Sequence, residues 1–540
     1  MKILRIGTDK QVFLGPWTPD GRDEYIVESM KDIEMTVNPA HVTGEKLVIN
    51  DRPWEGSGIL DMRQFVMKDD SLFRMYYSSM PYHFVSDDPD DPRKNLWKRP
   101  YSRILCYAES DDGIRWRKPE LGLCKWEGSR ANNILIPNDD FDYLFSEVEG
   151  ACPFIDPAAR TPEERYKTFI KVSPVGEGGT EEEAPIPLRG TASLPKGQYA
   201  FSSPDGIHWK LMSTERVNAG PSTDTQYSVF WDDRAGKYVQ YSRVKRPDPA
   251  QDAYYRSIYP EYEPERGRPK ILQVGRAESD DFLNWSEELQ VLGPDGEDRA
   301  NCPEGLVRLD FYGGNASRYR EASNAYIGMP NAYYHWKFDV TRRLWTGKYL
   351  QLPSTMDVQL VTSRDGISWN RSPQRRPFIA LGPEGTFWSR QVYPGGNAIR
   401  VGDELWFYFA GLDVNHKEQS LRKSNGARGR AVLRLDGFIS ADAAYTGGEL
   451  TTRPLVFGGG RLQLNVDTGA GGTARVEIQE PSGRPIAGFT EFEADEINGN
   501  YISVFASWKG STDTSSLVGR PVRLRFLMRD SKLYSFQFIP

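Results

Sequence analysis

The sequence predicts an all-β chain: a five-bladed β-propeller over residues 1–437 followed by a jelly-roll-like β-sandwich over 438–540. Three observations predict it. A seven-residue turn motif recurs along the first part of the chain, each copy follows an extended run, and an aromatic-rich strand stands upstream of every copy.

The motif is S-x-D-G-x-x-W. It occurs as Ser110-Asp-Asp-Gly-Ile-Arg-Trp116, Ser203-Pro-Asp-Gly-Ile-His-Trp209 and Ser363-Arg-Asp-Gly-Ile-Ser-Trp369. A fourth copy, Ser279-Asp-Asp-Phe-Leu-Asn-Trp285, keeps Ser, Asp and Trp, and a fifth, Leu435-Asp436-Gly437-Phe438, keeps the Asp-Gly core. The Asp side chain bonds nearby backbone, Gly accepts positive φ, and Trp returns to the core, so the motif is a scaffold turn between two outer strands. The strands leading into it are Ile104–Ala108, Gln198–Phe201, Ile271–Gly275, Val358–Val361 and Ala431–Arg434.

Upstream of each copy lies a second hairpin. Its second strand is Phe73–Tyr77, Tyr166–Phe169, Tyr238–Tyr241, Tyr326–Met329 or Leu405–Phe409, and its turn carries Asp69-Asp70, Asp156-Pro157, Asp232-Asp233 or Gly402-Asp403, with an irregular fourth near Glu321–Asn324. Four strands per unit and five units give the propeller. After Gly437 the character changes to alternating strands such as Leu462–Val466, Ala474–Ile478 and Val522–Phe526 between Gly-rich turns, which gives the sandwich. The sandwich is expected to cover one side of the propeller and stabilise it.

Composition narrows the function classes. With 68 basic and 75 acidic residues and a net charge of −7, the chain has no positive field for nucleic acid. No stretch approaches the ~20 apolar residues of a membrane span, and Met1–Gly7 lacks the apolar run of a signal peptide. The expected compartment is the cytoplasm, or outside the cell with a leader removed. Cys106, Cys124, Cys152 and Cys302 form no C-x-x-C and are expected as buried thiols. Oligomeric state is left open.

In a propeller the innermost strands line a channel, and ligands sit at its mouth. Carboxylates that begin innermost strands are therefore the site candidates. Asp61 lies eight residues before Asp69, Glu149 seven before Asp156 and Asp224 eight before Asp232. Glu55 stands further upstream in Pro53-Trp54-Glu55-Gly56, and Asp310 precedes the fourth unit's innermost strand in Leu309-Asp310-Phe311-Tyr312. Carboxylates converging on one axis push their pKa values apart, which is how an acid and a base are made. His335 and His416 are expected in loops on the mouth side, and Arg390 enters the fifth innermost strand, where it can bind hydroxyls or a carboxylate. No H-E-x-x-H motif, Walker loop, dinucleotide fingerprint or G-x-S-x-G elbow is present.

Arg52-Pro-Trp-Glu55, Asp224-Thr-Gln226 with Val229–Asp232 and Gly236-Lys-Tyr238, Asp310-Phe-Tyr312, Asp365–Trp369 and Asp436-Gly-Phe-Ile439 carry a resemblance. The chain resembles the five-bladed propeller glycoside hydrolases of the invertase, levanase and arabinanase type, in an uncharacterised bacterial branch. The resemblance implies a glycosidase with a furanoside-type substrate, an oligo- or polysaccharide. Glu55, Asp224 and Asp310 are expected as catalytic carboxylates. Asp61, Glu149, His335, Arg390 and His416 are expected to bind substrate. No cofactor is required; some relatives hold calcium on the propeller axis. The W-x-N-D-P-N, Arg-Asp-Pro and Glu-Cys stretches of invertases are missing, so the chain departs from an ordinary invertase. A non-catalytic sugar-binding propeller and a glycoside phosphorylase are the alternatives.

Overall fold

The computed structural model describes residues 3–15, 17–18, 21–56, 60–81, 83–84, 97–98, 103–137, 143–144, 147–173, 192–195, 197–217, 227–258, 270–337, 354–416 and 424–540. The chain is nearly all-β, with short helices at Pro249–Ile258 and Gly296–Ala300. No helix among the described residues is long and apolar enough to cross a membrane.

Among the described residues between His41 and Arg434 the strands group into antiparallel meanders, taken in chain order, and Met356 pairs in parallel with Gln391 between the fourth and the fifth. The first runs through Gln64–Asp69, Leu72–Ser79, Ile104–Ser110 and Ile134–Ile136, and the third through Ser228–Asp232, Lys237–Pro247, Lys270–Ser279 and Leu289–Leu292. In the second, Glu147–Glu149 and Phe154–Ile155 both pair with Tyr166–Ser173, which pairs in turn with Gly197–Ser203. The fourth has interrupted strands: Leu306–Phe311 pairs with Asn331–Trp336, and Ala316–Arg318 with Tyr326–Gly328. The fifth runs through Gln391–Pro394, Glu404–Leu412 and Ala427–Arg434, and its last partner comes from the other end of the chain: Ala431 and Val432 pair with Val42 and His41.

The repeated turn folds as its chemistry dictates. In the first copy the Gly113 amide donates to Ser110 Oγ at 2.9 Å, the Ile114 and Arg115 amides donate to Asp112 Oδ1 at 2.8 and 2.7 Å, and Trp116 Nε1 donates to the Gly113 carbonyl at 3.2 Å. The turn also joins neighbouring meanders. Tyr76 Oη of the first donates to the Gly206 carbonyl of the second at 3.0 Å, Tyr241 of the third to Gly366 of the fourth at 2.6 Å, and Tyr408 of the fifth to Gly113 of the first at 2.9 Å. The second meander has Phe169 where a tyrosine would stand, and the third has Phe282 where the turn glycine would stand, at φ 69°. The two rings stack at 4.5 Å and 6°. Between the fourth and fifth, Tyr319 Oη donates to Asp436 Oδ1 at 2.5 Å. A parallel series links hairpin aspartates: Tyr166 donates to Asp69, Tyr238 to Asp156 at 2.7 Å and Tyr326 to Asp232 at 2.8 Å.

Beyond the meanders, Ile439–Ala443, Arg461–Asp467, Asn500–Phe505 and Ser531–Ile539 form one sheet, and Gly448–Thr452, Thr473–Gln479 and Arg523–Arg529 form another. Their apolar faces share a core, with Phe526 and Phe536 in contact across it at 5.6 Å. The boundary expected at 437/438 omits the N-terminal strands of these sheets. Leu4–Gly7 pairs with Leu455–Phe457, Gln11–Val12 with Ser531–Ile539, Val27–Lys31 with Gly448–Thr452 and Ile33–Val37 with Ile439–Ala443. Residues 4–37 therefore belong with the C-terminal strands. Three cysteines are buried thiols as expected, but Cys302 is exposed.

Gly366 and Gly236 separate the two demands placed on turn glycines. Both have positive φ, 73° and 65°, but a Cβ at Gly366 would meet Tyr241 Oη at 2.7 Å, whereas one at Gly236 meets nothing within 4 Å. Gly236→Ala should cost about 1 kcal/mol from backbone strain, and Gly366→Ala about 2–3 kcal/mol because the Tyr241 bond is lost as well. Urea denaturation of both variants checks the difference.

Candidate active site

Two buried carboxylates anchor the site, each beside an arginine two residues away. Arg308 and Asp310 lie in one strand, where residues i and i+2 share a face, so that pair projects together. Asp61, just before Gln64–Asp69, accepts from the Arg63 amide at 2.8 Å, from Arg63 Nη1 at 3.1 Å and from Arg103 Nε at 3.0 Å. Burial works to raise its pKa, but the Arg63 and Arg103 charges outweigh that and hold the carboxyl below its ordinary value. Asp310 lies within Leu306–Phe311 and is fully buried. Its Oδ1 accepts from the Leu272 amide of the third meander at 2.9 Å, and its Oδ2 lies 2.7 Å from Arg308 Nη2 and 2.9 Å from His335 Nε2.

His335 departs from its expected loop position. It sits in Asn331–Trp336, in register with Arg308 across the strand pair. Burial, and then the Arg308 charge, press its pKa below the ordinary histidine value, so near neutral pH it is an uncharged imidazole beside the Asp310 carboxyl.

A core of tyrosines joins the two carboxylates. Leu60 and Met62, on either side of Asp61, pack in one apolar cluster with Tyr312, Tyr333 and Tyr393. Tyr312 lies 5.6 Å from Tyr333 and 6.3 Å from Tyr393, ring to ring. Tyr333 packs on His335 at 3.9 Å, and Tyr312 contacts His416 at 5.1 Å. The Tyr393 hydroxyl bonds Gln391 and lies 2.9 Å from His416 Nδ1. Arg243, from the third meander, stands over the Tyr312 ring at 5.3 Å. The first, third, fourth and fifth meanders thus all contribute to one cluster. Arg103 and Arg308 keep part of their side chains in solvent at its margin.

The remaining expected site residues lie elsewhere. Glu55 is fully buried in the turn Pro53–Glu55, where it accepts from the Asp51 and Arg52 amides at 2.9 and 3.1 Å, from Tyr77 Oη and from Lys118 Nζ at 2.7 Å. Both oxygens are engaged. Arg390 pairs with exposed Glu384 at 2.9 Å on the surface, not with the histidines. Glu149 pairs with Lys171 through the backbone of Glu147–Glu149, and its side chain lies outside the described residues, as does Asp224 entirely.

Sequence reasoning passed over Arg63, Arg308 and Asp357. The first two were legible in the i, i+2 spacing from Asp61 and Asp310. Asp357, on Ser354–Val358 next to Met356 of the tyrosine core, has a buried Oδ1 with no hydrogen-bond partner, and burial pushes its pKa up to about 7. Nothing in its local sequence marks it. Among the described residues no group of three or more His, Cys, Asp or Glu is arranged to hold a metal. Asp61 and Asp310 have guanidinium partners.

No protein-family model matches the chain, and no curated protein sequence does. Solved structures similar to it include an N-acetylgalactosamine deacetylase from F. plautii, at 13% identity and TM-score 0.42 over 75% of this chain and 96% of that one. A glycoside hydrolase family 43 arabinoxylan arabinofuranohydrolase from Bacillus subtilis is similar at 12% identity and TM-score 0.38, over 89% and 96%. A β-1,2-mannobiose phosphorylase from Listeria innocua is similar at 13% identity and TM-score 0.42, over 74% and 97%.

The raised pKa of Asp357 fixes the sign of a pH effect. A carboxyl that holds its proton more tightly folded than unfolded contributes stability below its unfolded pKa, and that stability is lost as pH rises through the folded value near 7. Asp357→Asn should therefore flatten the decline in urea midpoint between about pH 4 and pH 7. An unchanged slope would show that Asp357 does not titrate there.

Proposed function

We propose that the chain is a glycoside-active enzyme, a glycosidase, built as a five-bladed propeller of the meanders with a β-sandwich formed by the remaining sheets. The observation that carries this reading is the convergence of Asp61 and Asp310, from separate meanders, on one tyrosine- and histidine-lined core. Polar groups held rigidly by strands, with aromatic rings between them, suit a polyhydroxylated ligand and the charge that develops when its glycosidic bond breaks.

The roles follow from the electrostatics. Asp61 is a permanent anion locked by Arg63 and Arg103; it orients Arg103 toward a sugar hydroxyl and does not deliver protons. Asp310 is assigned as the base that takes a proton from the attacking water, and Arg308 and His335 hold its carboxyl in place. The acid is assigned to Asp224 on its sequence position at the head of the third unit. Glu149 and His416 are assigned to substrate binding, and Glu55 to holding the chain before the first meander. A furanoside-type oligo- or polysaccharide is the favoured substrate. The separation of acid and base, ~5–5.5 Å or ~6.5–9.5 Å, decides between retention and inversion.

A second reading is phosphorolysis. Arg308 favours it, as a partly exposed cation beside neutral His335 where a phosphate dianion could dock. Release of a sugar 1-phosphate only when phosphate is added would select it over hydrolysis.

The test is a panel of aryl furanosides and pyranosides with arabinans and fructans. Asp310→Asn and Asp224→Asn should each lower kcat ~10²–10⁴-fold with binding retained. Near-wild-type turnover in either variant would remove that residue from the mechanism. Binding with no turnover in the wild-type protein would favour a non-catalytic sugar-binding role.

A further inference from the structure

The sheet formed by Val27–Lys31, Gly448–Thr452, Arg523–Arg529 and Thr473–Gln479 turns one face to the core and the other outward. Leu450, Phe526 and Val476 point inward. Across the outer face runs a register row in which Lys31 stands opposite Glu449, Glu449 opposite Leu527 and Leu527 opposite Arg475. This row floors a groove of about 450 Å³. One wall is the segment carrying Glu491, Phe492 and Glu496, and the other is the turn Thr446–Gly448.

Two aromatic rings are left outside the core at this groove. Phe492 is 88% exposed on the wall itself. Tyr445, next to the opposite turn, is 66% exposed and lies over the guanidinium of Arg529, a groove residue, at 4.3 Å. Isolated exposed apolar side chains need no explanation, but an aromatic ring standing free on the rim of a polar groove is a stacking platform. The polar groups beneath are fixed in place. Arg525 holds Glu449 at 2.8 Å and Glu491 at 2.9 Å, and Arg475 holds Glu496 at 2.9 Å. Carboxylates held from one side keep lone pairs for further donors.

We infer that this groove is a second carbohydrate-binding site, separate from the ring of meanders, which takes a segment of a neutral polysaccharide. Lys31, Arg475 and Arg529 face Asp32, Glu449, Glu491 and Glu496 around it, three cations to four carboxylates, so a polyanion or polycation gains little there. Leu527 is the main apolar floor residue, too little surface for a lipid or an amphipathic helix. A sugar ring presents an apolar C–H face to an aromatic ring and vicinal hydroxyls to fixed carboxylates and guanidinium groups, and the groove offers both. The choice of a sugar among polyhydroxylated ligands rests on the glycoside-active reading of the other site.

Affinity electrophoresis tests it, in native gels containing soluble arabinan, arabinoxylan or levan. Wild-type protein and Asp310→Asn should both be retarded in at least one gel, and Phe492→Ala should bind about tenfold more weakly. Arg475→Ala, a second surface variant, should also weaken retardation. Phe492→Ala should keep wild-type turnover of aryl glycosides, since it lies outside the ring site. Retardation of Phe492→Ala equal to wild type, or no retardation of the wild type in any gel, would overturn the inference. Absent turnover with Phe492-dependent retardation would instead sink the catalytic reading and leave this one standing.

Discussion

The contact on which the meander assembly depends is a tyrosine hydroxyl of one meander donating to the turn carbonyl of the next. It explains the glycine in the repeat on two counts. Positive φ turns the carbonyl outward, and the missing Cβ lets the phenol approach: at Gly113, Gly206 and Gly366 the nearest atom to a hypothetical Cβ is a tyrosine Oη at 2.5, 2.6 and 2.7 Å. The exception follows the same rule. Where the tyrosine becomes Phe169 there is no hydroxyl to accommodate, and Phe282 fills the space with a stacked ring. A buried neutral hydrogen bond contributes about 1 kcal/mol net, and an aromatic pair contributes about as much beyond its buried area, so the exchange is close to neutral.

The site is organised by the cost of burying charge. An isolated buried carboxylate would take up a proton, as Asp357 illustrates. Asp61 stays charged because two guanidinium groups reach it inside the same buried volume. Asp310 instead shares its oxygens among a backbone amide from another meander, an arginine and an imidazole. Each carboxylate therefore also pins a neighbouring element. Glu55 shows the same arrangement, tying Lys118 and the backbone of Asp51 and Arg52 into the first meander.

Local chemistry was legible in the sequence, and long-range pairing was not. S-x-D-G-x-x-W marked the turns because the hydrogen bonds that shape the turn are internal to seven residues. The aromatic strands were legible from composition, Asp61 from its offset to the hairpin and Asp310 from its place by the fourth unit's innermost strand. The alternation of Leu4–Gly7 was present, but its partners lie some 450 residues away at Leu455–Phe457 and no local signal names them. His335 was read as a loop residue because the fourth meander interrupts its strands at Gly328 and Asn331, which hides the period of two. Arg390 looked like a ligand because it adjoins a strand, and only its pairing with Glu384 reveals a surface role.

The N-terminal strands also bear on how the chain reaches this state during synthesis. Val42 waits for Ala431, and Met35 for Ala441, so neither is paired until the fifth meander and the strand after it have left the ribosome. The strands before the first meander therefore emerge ahead of it yet settle after it. Contacts of such sequence separation slow folding, because the entropy of closing the loop is lost before any strand pairing offsets it. Until then, each meander between them stands as an unclosed stack whose two ends expose sheet edges and apolar faces, the surfaces on which newly made β-proteins aggregate.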